Sequence, residues 1–181
     1  MRATKLITWM AVAALLSLGI VSSARAQHAT FSNYNDASAS HCYNPATTAP
    51  DATNLNRLII GMLACTAAAP NGTTVIMDSF SFRITAPAGY YVSKVTFTQN
   101  GTSGGSRGGA GYRAATWVVD DEAFPVSSTT TGWEAIVDLS LQRKSVVPVS
   151  ITTFLAAFGI TVVSGSASAS SPAVVVELLP L

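Results

Sequence analysis

Apolar and polar residues alternate along much of this chain, which is the pattern of β-strands with one buried face. The alternation is clearest on both sides of the turn Ala86–Gly89, where Pro87 suits the second position of a type I turn and Gly89 the fourth. We therefore predict a β-hairpin at this turn. The side chains predicted to face the core are Phe80, Phe82, Ile84, Tyr91, Val95 and Phe97.

The same alternation recurs at 113–119, 133–141 and 146–163, and a last apolar segment covers 174–179. The continuous apolar run at 58–65 fits a strand or a short helix, and its length and two isoleucines favour a strand. No amphipathic helix is indicated. The chain is thus predicted to be all-β, an antiparallel sandwich (jelly-roll or Ig-like) of eight or nine short strands.

Segments rich in Gly, Ser, Thr and Pro separate these strands. Residues 27–56 are predicted to be loop-rich, with one short strand at 29–34. Residues 100–111 contain six glycines and are expected to form a mobile surface loop. We expect a second loop at 127–132 and a Ser/Ala spacer at 165–172.

The first 26 residues have the features of a signal peptide. Arg2 and Lys5 are followed by an uncharged apolar run at 6–21 and by Ala24-Arg25-Ala26, which predicts cleavage before Gln27. A retained membrane anchor is the alternative, but the run is shorter than the roughly 20 residues needed to span a bilayer. We expect one secreted or periplasmic domain, residues 27–181, with no membrane span after cleavage.

The net charge changes sign once the predicted signal peptide is excluded. Removing Arg2, Lys5 and Arg25 from the ten basic residues leaves seven against nine acidic ones, a net charge of about −2. No basic stripe remains, so we do not expect a nucleic-acid partner.

Cys42 and Cys65 are the two cysteines of the chain. A pair in an exported domain favours a disulfide, which stabilises a loop of this length by roughly 3 kcal/mol. A metal site is the alternative; His41 would be one further ligand, and a fourth is missing. The disulfide is the favoured interpretation.

Catalytic patterns are weak. The chain has two histidines, His28 and His41, and no Gly-x-Ser-x-Gly elbow. We predict no catalytic residue and no cofactor, and we do not expect an enzyme. A secreted hydrolase is the least favoured alternative.

Three consecutive acids, Asp120, Asp121 and Glu122, are weak candidates for a Ca²⁺ site, with Asp138 or Glu134 as further ligands. The acids would alternate in direction on a strand, so they converge only in a loop. A solvated acidic turn is the favoured interpretation.

Aromatic residues next to loops are candidates for contact with sugar rings, because they offer a flat apolar face and a polar tip. Tyr90 follows the proline turn, Tyr112 closes the glycine-rich segment and Trp133 follows the Ser/Thr segment. The alternation predicts that Tyr91 and Trp133 face the core instead. Tyr90 and Tyr112 remain as candidate ligand contacts.

The leader, the stretch Phe82-Arg83-Ile84-Thr85-Ala86-Pro87-Ala88-Gly89-Tyr90 and the segment Val95-Thr96-Phe97 resemble small secreted Gram-negative proteins that have no assigned function, some of them exported with a PEP-CTERM sorting tail. This chain lacks the Pro-Glu-Pro motif, the terminal apolar helix and the basic end of such a tail. The resemblance implies a small exported bacterial β-sandwich and carries over no functional residue.

These observations predict an exported, non-catalytic β domain with a structural or binding role in the cell envelope or extracellular matrix, through protein or glycan contacts. The alternative is a carbohydrate- or calcium-binding module. Low charge also suggests self-association through an apolar strand edge at Val174 to Leu179.

Overall fold

The computed structural model describes residues 27–63, 65–105, 110–128, 132–159, 165–169 and 171–181, so the predicted signal peptide lies outside it. Across those ranges no helix has the length and apolar character to cross a membrane. A 3-10 turn occupies Pro45–Thr47, and the rest of the regular structure is β. The strands are β1 (Thr30–Asp36), β2 (Ala49–Pro50), β3 (Arg57–Ile59), β4 (Cys65–Ala69), β5 (Gly72–Thr85), β6 (Tyr90–Gly105), β7 (Ala110–Val119), β8 (Glu122–Ser128), β9 (Gly132–Asp138), β10 (Val146–Gly159), β11 (Gly165–Ala169) and β12 (Ala173–Pro180).

Two antiparallel sheets face each other. The five-stranded sheet has the order β1-β5-β10-β7-β8, and the seven-stranded sheet has the order β2-β3-β12-β6-β11-β4, with β9 also paired to β6. The prediction of an all-β sandwich is confirmed. The described residues form twelve strands rather than eight or nine, because short strands of small residues carry no apolar alternation to predict them.

Strand β10 runs through the middle of the five-stranded sheet. It pairs with β5 along its whole length and with β7 from Val149 to Phe158. Successive side chains of a strand point to opposite faces, so β10 divides its residues between the core and the outer face. The inward residues, all buried, are Val147, Val149, Ile151, Thr153, Leu155 and Ala157.

The main core lies between the sheets. Phe97 of one sheet packs on Trp117 of the other with their ring centroids 3.9 Å apart, and neither side chain is exposed. All six side chains predicted to be buried around the turn at 86–89 are buried.

The predicted hairpin is wrong. β5 pairs with β1 and β10, whereas β6 pairs with β9, β11 and β12, so the two strands belong to different sheets. The turn carries the chain across the sandwich: the Tyr90 N–H donates to the Pro87 carbonyl at 3.1 Å. Gly89 has φ +83° and occupies the third turn position, where a left-handed conformation is required, not the fourth.

A bulge in β6 changes which side chains face the core. Lys94 lies opposite Glu177 and Val92 opposite Leu178, which leaves Ser93 as the extra residue. Val92, which regular alternation with Val95 and Phe97 would place on the outer side, is therefore fully buried in the main core, while Tyr91 is buried outside it.

Two segments predicted as loop or spacer contain strands. β6 continues to Gly105, and its residues Gly101–Gly105 pair with β11, which in turn pairs with β4. The Gly/Ser/Ala composition hid both strands, because small side chains show no alternation between core and solvent. The rest of the predicted glycine loop, residues 106–109, lies outside the described residues.

The predicted open edge at Val174 to Leu179 is corrected in its first part. Val174 and Val175 pair with β3 on one side and with β6 on the other, so this part of β12 is interior to the sheet. Backbone groups there are already hydrogen-bonded and cannot template another strand.

The predicted disulfide between Cys42 and Cys65 is present, with the two Cα atoms 5.3 Å apart. It lies in a second, smaller apolar cluster with Ala67, Leu155 and Ala157. The bridge ties the segment after β1 to β4 of the other sheet.

The edge strands of the five-stranded sheet are both irregular. In β1 the register with β5 shifts between Ser32 and Asn35, and Asn33 there has φ +59°. At the opposite edge, Pro125 lies within β8 opposite Thr116.

Gly61→Ala is expected to destabilise the fold, because a Cβ at this position would lie 2.0 Å from Thr47 Oγ1 and 2.8 Å from the Asn44 carbonyl oxygen. The backbone there is held on both sides, by Asn44 N–H to the Gly61 carbonyl at 2.8 Å and by Gly61 N–H to Thr48 Oγ1 at 3.0 Å. Overpacking of this kind costs about 1–3 kcal/mol, measured by urea unfolding.

Gly104→Ala is the matched control, since nothing lies within 4 Å of the Cβ it would carry. Its stability should stay within about 0.5 kcal/mol of the parent. Equal stabilities of the two variants would show that the 44–48 segment does not pack on Gly61.

Candidate functional site

A groove of about 270 Å³ opens on the outer face of the five-stranded sheet. It lies at the end of the sheet where Val146 pairs with Thr85, which we call the groove end. Three neighbouring strands form its floor, and the β1 bulge and the β7–β8 turn form its sides. The lining residues are Asn33, Ser81, Phe82, Arg83, Val118, Asp121, Pro148, Val149 and Ser150.

Backbone geometry places two of the polar groups. Asn33 (φ +59°) lies in the β1 bulge. Asp120 and Asp121 have φ +52° and +69° and form a two-residue turn between Val119 and Glu122, which pair with each other. Positive φ at both central residues defines a type I′ turn, and Asp tolerates this conformation better than most residues.

The two central acids of this turn have different environments. Asp120 forms an ion pair with Lys144 and donates its backbone N–H to the Pro148 carbonyl at 3.0 Å. Asp121 is exposed, and no ion pair or hydrogen bond joins its carboxylate to another described residue. Asp121 is thus the acid of this turn that remains available to a ligand.

Arg83 is the cation of the groove. It is exposed on β5 opposite Pro148. Within the described ranges its guanidinium makes no ion pair or hydrogen bond. The groove therefore presents a fork of N–H donors and a separate carboxylate acceptor, both of them solvated.

The rest of the lining is polar but uncharged. Ser81 and Ser150 are paired neighbours on β5 and β10, and each hydroxyl both donates and accepts hydrogen bonds. Val118 and Pro148 add small apolar surfaces. The described residues that line the groove include neither histidine nor cysteine. The arrangement suits recognition of a hydroxyl-rich ligand, with no nucleophile paired to a base.

A second polar cluster lies at the end of β1 and contains Asp36, Asp78 and His41. Asp36 accepts hydrogen bonds from the Ser38 backbone N–H at 3.2 Å and from His41 Nδ1 at 3.1 Å. Asp78 is fully buried on β5 and accepts the backbone N–H groups of Cys42 and Tyr43, the latter at 3.2 Å.

The carboxyls of Asp36 and Asp78 also interact with each other. Burial raises the pKa of Asp78, and the nearby Asp36 raises it further, against the opposing effect of the Cys42 N–H. Burial also acts to raise the pKa of Asp36, but the hydrogen bonds from His41, Ser38 and Asp78 outweigh it and lower that pKa. The interaction therefore favours protonation of Asp78 over protonation of Asp36.

This cluster brings a histidine together with two acids, which is an arrangement that catalysis often uses. Here the buried acid is occupied by the backbone N–H groups of the disulfide segment. His41, with 69% of its side chain exposed, bonds the other acid. The geometry makes the cluster a structural link between β1, β5 and the segment that carries Cys42.

The candidate residues from the sequence are spread over the fold. Asp121 lies in the groove, whereas Glu122 begins β8 and is exposed. Tyr112 lies on the same outer face but at the other end of the sheet, where β7 begins opposite the end of β10. Tyr90 is half-buried against the main core in the other sheet. The side chain of Trp133 lies outside the described part of the structure.

The predicted calcium ligands are also separated. Glu134 and Asp138 lie on β9, which pairs with β6 in the seven-stranded sheet. Among the described residues, no three His, Cys, Asp or Glu side chains are placed to hold one metal ion.

Sequence reasoning missed Asn33, Arg83 and Ser150 as members of a site. Arg83 and Ser150 occupy ordinary outward positions of their strands, and the groove arises because β5, β10 and β7 are neighbours. The Asp78 cluster did leave a signal. Asp78 has the same parity as Phe80, Phe82 and Ile84, and an acid on the core side of a strand needs buried partners.

No family model matches the chain, and no curated protein matches it, so the resemblance to secreted Gram-negative proteins stays a prediction. Among solved structures, the chain is similar to that of TmCBM61 in complex with β-1,4-galactotriose, with 13% identity, 81% of this chain and 90% of that chain covered, and a TM-score of 0.37. A likeness at this level supports no conclusion about the present chain.

Asp78→Asn tests the raised pKa of Asp78. Because the pKa of Asp78 is raised above its usual 3.8, the folded state keeps a proton that the unfolded state has lost, and stability falls as pH rises through that interval. The amide removes this loss, so the variant should gain stability relative to the parent as the pH rises above about 4. Asp78→Ala should lose about 1–3 kcal/mol at every pH, because buried N–H groups lose their acceptor.

Urea unfolding at several pH values measures both effects, with Glu134→Gln, an exposed acid on β9, as the control. The same dependence of stability on pH in Asp78→Asn as in the parent would contradict a raised pKa of Asp78.

Proposed function

We propose that this protein is a non-catalytic binding domain and that the groove holds the hydroxyl groups of a glycan. The observation that carries the proposal is the pair Arg83 and Asp121, both solvated and both free of protein partners among the described residues. They flank a floor of hydroxyl groups from Ser81 and Ser150. Sugar hydroxyls both donate and accept hydrogen bonds, so a glycan can satisfy both charged groups together.

The charge balance of the groove favours an uncharged ligand over an ionic one. Arg83 and Asp121 both line it, so a phosphate would be repelled by Asp121 and a polycation by Arg83. A sugar meets neither penalty. Asn33 adds an amide that can also donate and accept, and Val118 and Pro148 offer apolar contact to the C–H groups of the ring.

Export is part of the proposal. The Cys42–Cys65 disulfide fits an oxidising compartment, and the predicted signal peptide would direct the chain to such a compartment. We therefore place this binding role in the periplasm or outside the cell, in contact with envelope or matrix glycans.

Calorimetric titration with cellotriose, chitotriose, maltotriose and β-1,4-galactotriose tests the proposal. At least one should bind. Arg83→Gln and Asp121→Asn should each weaken that affinity about tenfold or more, because a charge-assisted hydrogen bond contributes about 1.5–3 kcal/mol.

Lys94→Gln and Glu134→Gln are the matched controls, since both residues lie on the seven-stranded sheet. They should leave the affinity unchanged. Failure of all four sugars to bind would overturn the proposal, as would release of smaller sugars, which would show turnover. A rise in Tm with Ca²⁺ that Asp121→Asn abolishes would favour the calcium-binding alternative instead.

A further inference from the structure

The outer face of the five-stranded sheet continues beyond the groove as an apolar surface. At the end where Phe158 pairs with Thr73, which we call the far end, apolar side chains project outward from the three central strands. Val75, Met77, Tyr112 and Phe158 are all substantially exposed. These four residues together with Phe154 form what we call the apolar patch.

The patch is organised around aromatic rings. Tyr112 and Phe154 lie edge to face with their ring centroids 6.1 Å apart. Phe158 follows Phe154 by four residues on the same face of β10. Ala156 lies between them in sequence and opposite Tyr112 in the sheet, so a small side chain separates three larger rings.

A row of hydroxyl groups joins the patch to the groove. Ser79 and Thr152 are paired across β5 and β10 with their oxygens 2.9 Å apart, and Thr116 lies opposite Thr152 on β7. Groove, hydroxyl row and apolar patch therefore follow one another along β10. From Pro148 to Phe158 this surface is about 33 Å long, at the rise of about 3.3 Å per residue of a strand.

The surface is also nearly free of charge. Of the described side chains that β5, β7 and β10 direct outward, Arg83 in the groove is the one that carries a charge at neutral pH. The hydroxyl row and the apolar patch carry no charge among the described residues, so they are complementary to a long, uncharged ligand that has both hydroxyl groups and apolar faces. It offers no electrostatic attraction to an anionic lipid surface or to nucleic acid.

We infer that the ligand is a neutral polysaccharide chain that lies along β10, with one sugar in the groove and further sugars on the apolar patch. This inference rests on the proposed function and names its ligand class. Aromatic rings contact the C–H-bearing faces of sugars, and the hydroxyl row provides polar contacts between the two sites. Such a surface binds a polymer more tightly than a short oligomer, because a longer chain fills more subsites.

The test compares each of the four trioses with the hexaose of the same linkage, for example cellotriose with cellohexaose, by calorimetry on the mature chain. The hexaose should bind at least tenfold more tightly than the triose. Tyr112→Ala and Phe158→Ala should each weaken hexaose binding about threefold or more and leave triose binding unchanged. Tyr112→Phe keeps the ring and should retain most of the hexaose affinity.

Ile136→Ala is the matched control, since Ile136 is an exposed apolar side chain on the other sheet. Sedimentation of the parent and of Phe158→Ala accompanies the titrations. Equal affinities for triose and hexaose would overturn the inference while leaving the groove proposal intact. Absence of binding by either length would overturn both. A dimer that Phe158→Ala dissociates would assign the patch to self-association and overturn the inference.

Discussion

The two-faced character of β10 is the constraint on which this structure depends. Its inward residues close the core from Val147 to Ala157, and its outward residues form the middle of the proposed ligand surface. Because side chains alternate strictly along a strand, a shift of one residue in its pairing with β5 or β7 would exchange the two sets. Core and surface are therefore specified together: the register that buries Ile151 is the register that places Ser150 beside Ser81 and Phe154 beside Met77.

The face of each strand that is buried was the part of the fold that could be predicted well. The face assigned to Phe80, Phe82, Ile84, Val95 and Phe97 is the buried face, because alternation reports burial whatever the partner strand is. Alternation does not identify which strand pairs with which. The Pro-Ala-Gly turn has the same local chemistry whether it reverses a hairpin or crosses between sheets, so the error about β5 and β6 lay in long-range pairing. The burial of Val92 could not be predicted for a related reason, since the bulge at Ser93 depends on the register with β12.

The candidate site could also be predicted only as far as local sequence determines it. The sequence identifies Asp121 as a candidate metal ligand and Tyr112 as a candidate ligand contact. Nothing in their own segments indicates which residues lie near them. Arg83 lies 38 residues from Asp121 along the chain, and the distance is closed by β10, a strand that comes later than both. A groove assembled from three strands is a property of strand order. Asp78 differs, because an acid at a core position of a strand predicts that buried partners must be present. The sequence does not identify those partners, which are Asp36 and the Cys42 segment.

The irregular edges of the five-stranded sheet have a consequence for how this protein meets other molecules. Asn33 bends β1 away from regular pairing, and Pro125 removes one backbone donor from β8. Neither edge offers the uninterrupted ladder of N–H and C=O groups that an incoming strand needs. The edges of this sheet therefore disfavour the addition of further strands, which would extend it into a larger sheet or a fibril, while its outer face stays exposed to solvent. It can expose aromatic side chains on its flat face without also presenting an edge that would recruit further copies of itself.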